Sequence, residues 1–196
     1  RFGFGQRTGI EVAGEQPGIV ISPDKQEGNA VRYSNMAFGQ GMDLTMIQVA
    51  SAFGTLVNGG IYYQPTLLAG TVNTAGTLTP AAAKPGRPGV ITPDTSAKIH
   101  TMIHTARAAF YAKQDRAGYD IGGKTGTSQT IRDGKYVDNE TIATYLGYGG
   151  DATPRYVIMV QVSGKDLNAQ GNKDALPIFT DISNWMIDYL KLQPKG

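Results

Sequence analysis

Apolar residues recur at helical spacing in three segments, and each segment has start or stop signals at its ends. The first segment follows Thr45, a good N-cap, and ends at Asn58-Gly59-Gly60, where residues that tolerate positive φ stop a helix. Its apolar stripe consists of Ile47, Ala50, Phe53 or Gly54, and Val57. These signals predict a helix between positions 45 and 58.

Two further helices are predicted by the same criteria. One starts at Thr92-Pro93, with threonine as the cap and proline in the first turn. Its expected buried stripe is Ile99, Met102, Ile103 and Ala106. The last helix runs from about Ala175 to Leu192, and one apolar side is expected to face the core. That side consists of Ile178, Ile182, Trp185, Met186, Tyr189 and Leu190.

Between the last two helices the pattern changes to that of strands. Residues 124–131 are rich in threonine, "TIATYLGY" at 141–148 alternates, and "RYVIMVQVS" at 155–163 is nearly continuously apolar. The connections "RDGK" and "GGDATP" are short, which favours antiparallel neighbours. The order predicts an α+β fold, with helices packed on an antiparallel sheet.

The remaining segments have weaker patterns. Residues 1–41 are predicted to be irregular but packed, with one short helix, because apolar residues alternate there with glycine and proline. Residues 61–72 form a short extended run in which Pro65 indicates an edge position. Residues 73–90, rich in Pro and Gly, are predicted to be a surface connection.

Composition excludes several classes of protein. The 196 residues are 40% hydrophobic and 17% charged, which describes a globular chain. A net charge of +2 is too small to indicate a nucleic-acid partner. The absence of cysteine excludes disulfides, thiolate nucleophiles and cysteine zinc sites. The chain has no signal peptide and begins with Arg1, so we expect it to be a piece of a longer protein.

The segment "GYDIGGKTGTSQT", residues 118–130, matches two motifs. Gly118 to Thr125 spells G-x-x-x-x-G-K-[ST], the phosphate-binding loop, which needs a strand before it and a helix after it. Here a helix precedes the segment, and Gly126 with β-branched residues follows Lys124-Thr125. The context therefore disfavours a nucleotide site.

The second motif is Lys124-Thr125-Gly126, the K-T-G of serine acyltransferases. This motif needs an extended strand at the edge of a cleft. Lys124 would supply positive charge for a substrate carboxylate and for proton transfer, and glycine would let substrate lie against the strand. Thr125 and Thr127 share one strand face, where their hydroxyls would bind the carboxylate. The backbone N–H of Thr127 would point at a developing oxyanion.

The order of several segments makes the second motif more specific. These are "FGFGQRTGIEVAGEQPG", "MAFGQGMDLTMIQVASAFGTLVNGGIYYQPTLL", "GGKTGTSQT", "RDGKYVDNETIATYLGY" and "TPRYVIMVQVSGK". Together they resemble the C-terminal half of the transpeptidase domain of class B, monofunctional penicillin-binding proteins. The resemblance covers nearly the whole chain, and Gln129 after the K-T-G-T-S run is more like class B than the bifunctional enzymes.

The resemblance implies acyl transfer on the outer face of a bacterial membrane. In that family a serine attacks the D-Ala-D-Ala amide of a peptidoglycan stem peptide, D-alanine leaves, and the acyl group passes to an amine. β-Lactams trap the acyl-enzyme, and no metal or organic cofactor is required. Lys124 and Thr127 would be catalytic residues, and Thr125, Gly126, Thr127 and Ser128 would bind substrate. Other cell-wall synthesis proteins are expected partners, and an N-terminal segment outside this chain would anchor the protein.

Two of the three family motifs are missing. The single S-x-x-K string, Ser22-Pro23-Asp24-Lys25, lies downstream of the Phe-Gly-x-Gly segment, whereas the family's nucleophile lies upstream. Ser34-Asn35-Met36 has methionine in place of the asparagine of S-x-N. Residues 1–196 are therefore expected to be the C-terminal portion of one domain, whose nucleophile precedes Arg1. The isolated chain is expected to be inactive.

Other functions remain open from the sequence. A D,D-carboxypeptidase or β-lactamase shares the K-T-G strand, and a β-lactam sensor or scaffold module could keep the fold. His100 and His104 are four residues apart on a predicted helix, but Thr101 occupies the place of the glutamate in H-E-x-x-H. A solvated helix face is the favoured interpretation of this pair, and no metal is expected.

Overall fold

The computed structural model describes residues 1–22 and 30–195. The α-helices in these ranges are α1 (Ala30–Ala37), α2 (Met46–Val57), α3 (Pro93–Tyr111) and α4 (Leu176–Tyr189). The strands are β1 (Gly70–Val72), β2 (Leu78–Pro80), β3 (Asp120–Arg132), β4 (Lys135–Gly150) and β5 (Pro154–Val162). A short 3₁₀ turn, Ala112–Gln114, follows α3, and a π-helical turn, Gly171–Ala175, precedes α4.

The main sheet is an antiparallel meander in the order β3–β4–β5. Within the described residues, β3 is an edge strand, because only β4 pairs with it. This arrangement confirms the predicted α+β fold and the three antiparallel strands.

The helix termini follow the sequence signals. Thr45 and Gln48 form a capping box at the start of α2, and Gly59 and Gly60 adopt positive φ after its end. Thr92 caps α3, with proline in the first turn, as predicted. The buried Gln48 side chain donates hydrogen bonds to the carbonyls of Gln6 and Pro17, so α2 also holds the irregular N-terminal segment.

Helices cover both faces of the sheet. On one face Tyr145 packs against Phe179 of α4, with ring centroids 4.6 Å apart, and Leu176 and Ile187 join the same cluster. On the other face Phe53 of α2 packs against Tyr148, alongside Val57. The sheet is therefore fixed from both sides beside the first half of β3.

Two predicted helix faces are wrong in part. On α3, Ile99 and Ile103 are half-buried, but Met102 and Ala106 are exposed, and the fully buried residues are Ser96 and Arg107. The error arises because other elements supply partners for these polar residues. Ser96 donates to the Leu56 carbonyl of α2 and Arg107 donates to Thr180 of α4, so hydrophobicity does not identify the inner face of α3.

The apolar side predicted for α4 is largely exposed. Ile178, Ile182, Trp185 and Tyr189 retain between 39% and 65% of their accessible surface. The buried residues of the helix are Leu176, Phe179, Thr180, Ser183 and Ile187. The core-facing side thus includes two hydroxyl residues, and the described residues cover the more apolar stripe only in part.

The segment after α2 also departs from expectation. Of the predicted extended run at 61–72, only Gly70–Val72 forms a strand, and it pairs with Leu78–Pro80 inside the predicted surface connection. Residues 1–22 are irregular, as predicted, and Glu11 holds them to the next segment by accepting hydrogen bonds from Thr66 and the Leu67 amide.

Candidate active site

The residues of the K-T-G-T motif lie in the exposed middle of β3. Lys124, Thr125, Gly126 and Thr127 pair in register with Leu146, Tyr145, Thr144 and Ala143 of β4. The backbone is extended throughout this stretch, and its other edge carries no strand among the residues described. The strand geometry that the acyltransferase motif requires is therefore present.

The side chains of the motif leave the strand on two faces. Thr125 and Thr127 point to the α4 face, and Lys124 starts on the α2 face, as strand alternation requires. The ammonium of Lys124 nevertheless folds back along the strand, and Nζ donates a 2.7 Å hydrogen bond to the carbonyl of Thr125. Lys124 and Thr125 thus converge at the exposed part of the strand.

Thr127 has a second neighbour that the sequence did not predict. Its Oγ1 accepts a 3.1 Å hydrogen bond from the backbone N–H of Gly171, at the start of the π-helical turn. The Thr127 side chain is exposed, and its hydroxyl proton remains able to donate to a ligand. The hydrogen bond fixes where that hydroxyl oxygen lies.

Gly126 packs closely against the Thr144 side chain of β4. A Cβ at Gly126 would collide with Oγ1 of Thr144, and a Cβ at Gly171 would lie 2.5 Å from the Gly126 carbonyl oxygen. The sequence predicts that this glycine lets substrate lie against the strand. The structure adds that a side chain at position 126 would have to displace the Thr144 hydroxyl.

Two cavities flank the motif. The larger, of about 460 Å³, lies between the loop at 38–44 and β3, and its lining includes Met42, Val49, Gly126, Thr127 and Ser128. The smaller, of about 300 Å³, lies beside the C-terminal end of α3. Its lining includes Arg107, Phe110, Lys124, Thr125 and Tyr145. The predicted substrate-binding residues therefore line concave surfaces, and Ser128 belongs to the larger one.

A buried carboxylate at the start of β3 was not predicted. Asp120 is 3% exposed, and His100 Nε2 and His104 Nδ1 lie 2.9 and 3.0 Å from its two oxygens. The hydroxyl of Tyr148 donates to the same carboxylate at 3.0 Å. Burial, and then the neighbouring charge of Asp120, raise the pKa of Tyr148, so this phenol remains a hydrogen-bond donor.

The predicted solvated face is wrong for His100, whereas the His104 side chain remains 44% exposed. His100 is largely covered, and both rings face Asp120. One sequence signal could have indicated this cluster. It is the four-residue spacing of the two histidines, together with Asp120 shortly before Gly122-Gly123. Among the described residues, no group of three His, Cys, Asp or Glu side chains is suited to hold a metal ion.

A buried arginine forms a second polar cluster on the opposite face. Arg107 binds both carboxylate oxygens of Asp115, at 2.8 and 2.5 Å, and donates to the hydroxyls of Tyr145 and Thr180. Burial raises the pKa of Tyr145, although the adjacent guanidinium opposes the shift. An arginine in a helix gives no sequence signal that distinguishes this role from a surface position.

The candidate motifs for a nucleophile receive no support. Ser22 is described, but Pro23, Asp24 and Lys25 lie outside the described residues. Ser34, Asn35 and Met36 are on α1, in a helix without buried residues. The nucleophile that the sequence analysis placed before Arg1 stays a prediction.

The α+β fold and the extended K-T-G strand agree with the family that the sequence resembles. Residues 1–184 match the family described as the penicillin-binding protein transpeptidase domain. The chain belongs to this family. It is 34% identical to stage V sporulation protein D of Bacillus subtilis and 31% identical to penicillin-binding protein PbpB of Mycolicibacterium smegmatis.

Coverage of the two chains is unequal in these comparisons. The alignments include 99% and 95% of this chain but 30% of each relative. The chain therefore spans less than a third of the length of these relatives.

Solved structures show the same fold. Penicillin-binding protein 3 of Mycobacterium tuberculosis, complexed with ampicillin, matches all of this chain and 45% of its own, with a TM-score of 0.84 and 27% identity. Its aztreonam complex gives a TM-score of 0.83. A peptidoglycan synthetase from Bifidobacterium adolescentis matches with a TM-score of 0.83 at 22% identity, which supports the fold alone.

Proposed function

We propose that the full-length protein containing this chain is a serine-type peptidoglycan D,D-transpeptidase that β-lactams acylate. The observation that carries the proposal is the extended edge segment Lys124–Thr127, in a chain that belongs to the transpeptidase family. Relatives of the chain include a peptidoglycan D,D-transpeptidase of Escherichia coli, 26% identical over 99% of this chain.

The site residues have distinct roles in this proposal. The hydroxyls of Thr125 and Thr127 donate to the terminal carboxylate of the stem peptide, and Lys124 supplies the compensating positive charge. The N–H of Thr127 stabilises the oxyanion that forms when the serine oxygen attacks the penultimate D-alanine carbonyl. Gly126 and Ser128 line the groove that holds the peptide.

The reaction then proceeds in two balanced steps. The C–N bond to the terminal D-alanine breaks as the serine ester forms, and the leaving amine takes up a proton. An acceptor amine of a neighbouring strand then attacks the ester, which forms a new amide and returns the proton to the serine oxygen. Lys124 is positioned to assist proton transfer in this sequence.

We also infer that residues 1–196 form the C-terminal portion of one transpeptidase domain and that the serine lies outside them. Two observations support this inference: the relatives are more than three times as long as the matched segment, and the stripe Ile178, Ile182, Trp185 and Tyr189 on α4 is exposed. A missing portion of the same domain would cover that stripe.

Partners and location follow from the same proposal. The stem peptide and β-lactams are the ligands, other cell-wall synthesis proteins are partners, and the extracytoplasmic face of the bacterial membrane is the location. Within the residues described, no helix has the length and apolarity needed to cross a membrane. The proposed anchor is an N-terminal segment outside this chain.

Acylation kinetics of the full-length protein test the proposal. The rate of labelling by a fluorescent penicillin would be compared among the wild type, Lys124→Ala and Lys135→Ala, since Lys135 is an exposed lysine at the start of β4. Lys124→Ala is expected to lower the second-order rate about 100-fold, a typical loss for a group that stabilises the transition-state charge. Lys135→Ala is expected to match the wild type. A wild type that does not label, or equal rates for both variants, would contradict the proposal.

A further inference from the structure

Two tyrosines of β4 fill the space beside the glycines that immediately precede Lys124. A Cβ at Gly122 would lie 2.5 Å from the ring of Tyr148, and a Cβ at Gly123 would lie 2.5 Å from the ring of Tyr145. The two rings are on opposite faces of the sheet, because their positions on β4 are three residues apart. β3 is therefore held between two aromatic rings just before its exposed segment begins.

The hydroxyl of each ring is anchored by a buried charged group. Tyr148 donates to Asp120, which is also approached by His100, His104 and, at 3.6 Å, by Lys195. These partners come from α3, the start of β3 and the residues after α4. Each phenol position is thus fixed by elements other than β4 itself.

The second anchor is independent of the first. Arg107 donates to the Tyr145 hydroxyl at 2.7 Å and is held in place by Asp115 and by Thr180 of α4. The guanidinium also lies 5.3 Å from the Tyr145 ring centroid, a cation–π distance. This anchor joins α3, β4 and α4 on the face that carries Thr125 and Thr127.

An edge strand needs such support if its position is to be reproducible. Among the residues that the structure describes, only β4 pairs with β3, so hydrogen bonds within the sheet do not stop β3 from moving toward either face. The two rings restrict that motion one and two residues before Lys124. Side chains that bind a reacting group must be held to within about 0.5 Å by surrounding packing and hydrogen bonds.

We propose that Tyr145 and Tyr148 are positioning residues that fix the Lys124–Thr127 strand through Gly123 and Gly122. They do not contact substrate in this proposal. The inference rests on the proposed function, because it assigns these residues an effect on acylation by β-lactams.

The test uses full-length protein with single hydroxyl deletions. Tyr145→Phe and Tyr148→Phe keep each ring but remove its anchor. Tyr156→Phe is the matched control, since its hydroxyl bonds the Ser183 carbonyl and hydroxyl at 2.9 Å, on β5 rather than beside β3. For each protein, the acylation rate constant, the dissociation constant of a penicillin and the melting temperature would be measured separately.

Tyr145→Phe and Tyr148→Phe are expected to lower the acylation rate constant about tenfold relative to Tyr156→Phe. The three variants are expected to lose a similar amount of melting temperature. The dissociation constant should change less, because misplacement affects the reacting geometry most. Gly123→Ala, which displaces the Tyr145 ring directly, should lower the same rate constant.

Equal acylation rate constants for all three phenylalanine variants would overturn the inference while leaving the proposed function intact. The inference would also be overturned if the acylation rate constant of each variant, including the control Tyr156→Phe, fell in proportion to its loss of melting temperature. A wild type that no penicillin acylates would instead refute the proposed function, and this inference with it.

Discussion

At the scale of single residues, buried polar side chains anchor the two aromatic rings that pack against β3. Asp120 and Arg107 are both almost fully buried. Arg107 is bonded to Asp115 and to the Tyr145 hydroxyl, whereas Asp120 accepts from the Tyr148 hydroxyl and has two histidine nitrogens within 3.0 Å. Buried charges are tolerated only when they are paired in this way. Because the pairs come from distant positions in the chain, hydrophobic periodicity could not reveal them.

The prediction at this scale concerns Glu11, which holds the N-terminal segment to residues 66–84. The N–H of Leu67 and the hydroxyl of Thr66 lower the pKa of Glu11 from 4.5 to about 2. Because the folded pKa is depressed, the stabilisation from this contact is complete above about pH 4.5 and is lost as the pH falls toward 2. An NMR titration of the Glu11 carboxyl carbon should therefore have its midpoint near pH 2.

Thr66→Val provides the control for that titration. It removes the hydroxyl that donates to the Glu11 carboxylate, whose two oxygens lie 2.9 and 3.0 Å from it, so the midpoint should move upward. A midpoint near 4.5 in the unmodified protein would show that the contact does not form.

At the scale of elements, helix boundaries were predictable and helix orientation was not. Thr45 and Thr92 are the caps of α2 and α3, because capping depends on local backbone geometry that a few adjacent residues determine. The inner face of α4 depends instead on what packs against it. Phe179 and Ser183 face the sheet, whereas the more apolar stripe faces outward.

The outward stripe of α4 gives a prediction about the full-length protein. If another portion of the domain covers it, Ile182→Lys buries an unpaired charge and should lower the melting temperature by about 5 °C or more, corresponding to about 2 kcal/mol. Asp181→Lys, at the adjacent exposed position, should change it little. Differential scanning fluorimetry of both variants distinguishes a covered stripe from an exposed one. Equal melting temperatures for the two variants would mean that the stripe stays in contact with water.

For the whole molecule, much of the fold but only part of the site could be predicted from the sequence. The three strands and their antiparallel order follow from alternation and short turns, which are local signals. The extended K-T-G-T segment was predicted for the same reason. The sequence could not predict the hydrogen bond from Gly171 to Thr127, nor the hydrogen bonds that anchor the Tyr145 and Tyr148 hydroxyls. Each of these joins residues more than 25 positions apart.

The open edge of β3 is the feature on which the functional account depends. Lys124, Thr125 and Thr127 are on the edge strand that lines both cavities near the motif. Exposed edges are commonly protected against pairing with other strands. Here we propose that the edge is kept open for an extended substrate.

A crystal structure of the full-length protein acylated by a penicillin tests this account most directly. We expect the penicillin carboxylate about 3 Å from the hydroxyls of Thr125 and Thr127, with Lys124 beside it and the ester on a serine outside residues 1–196. An ester on Ser22, or a carboxylate bound away from the 124–127 strand, would contradict the account.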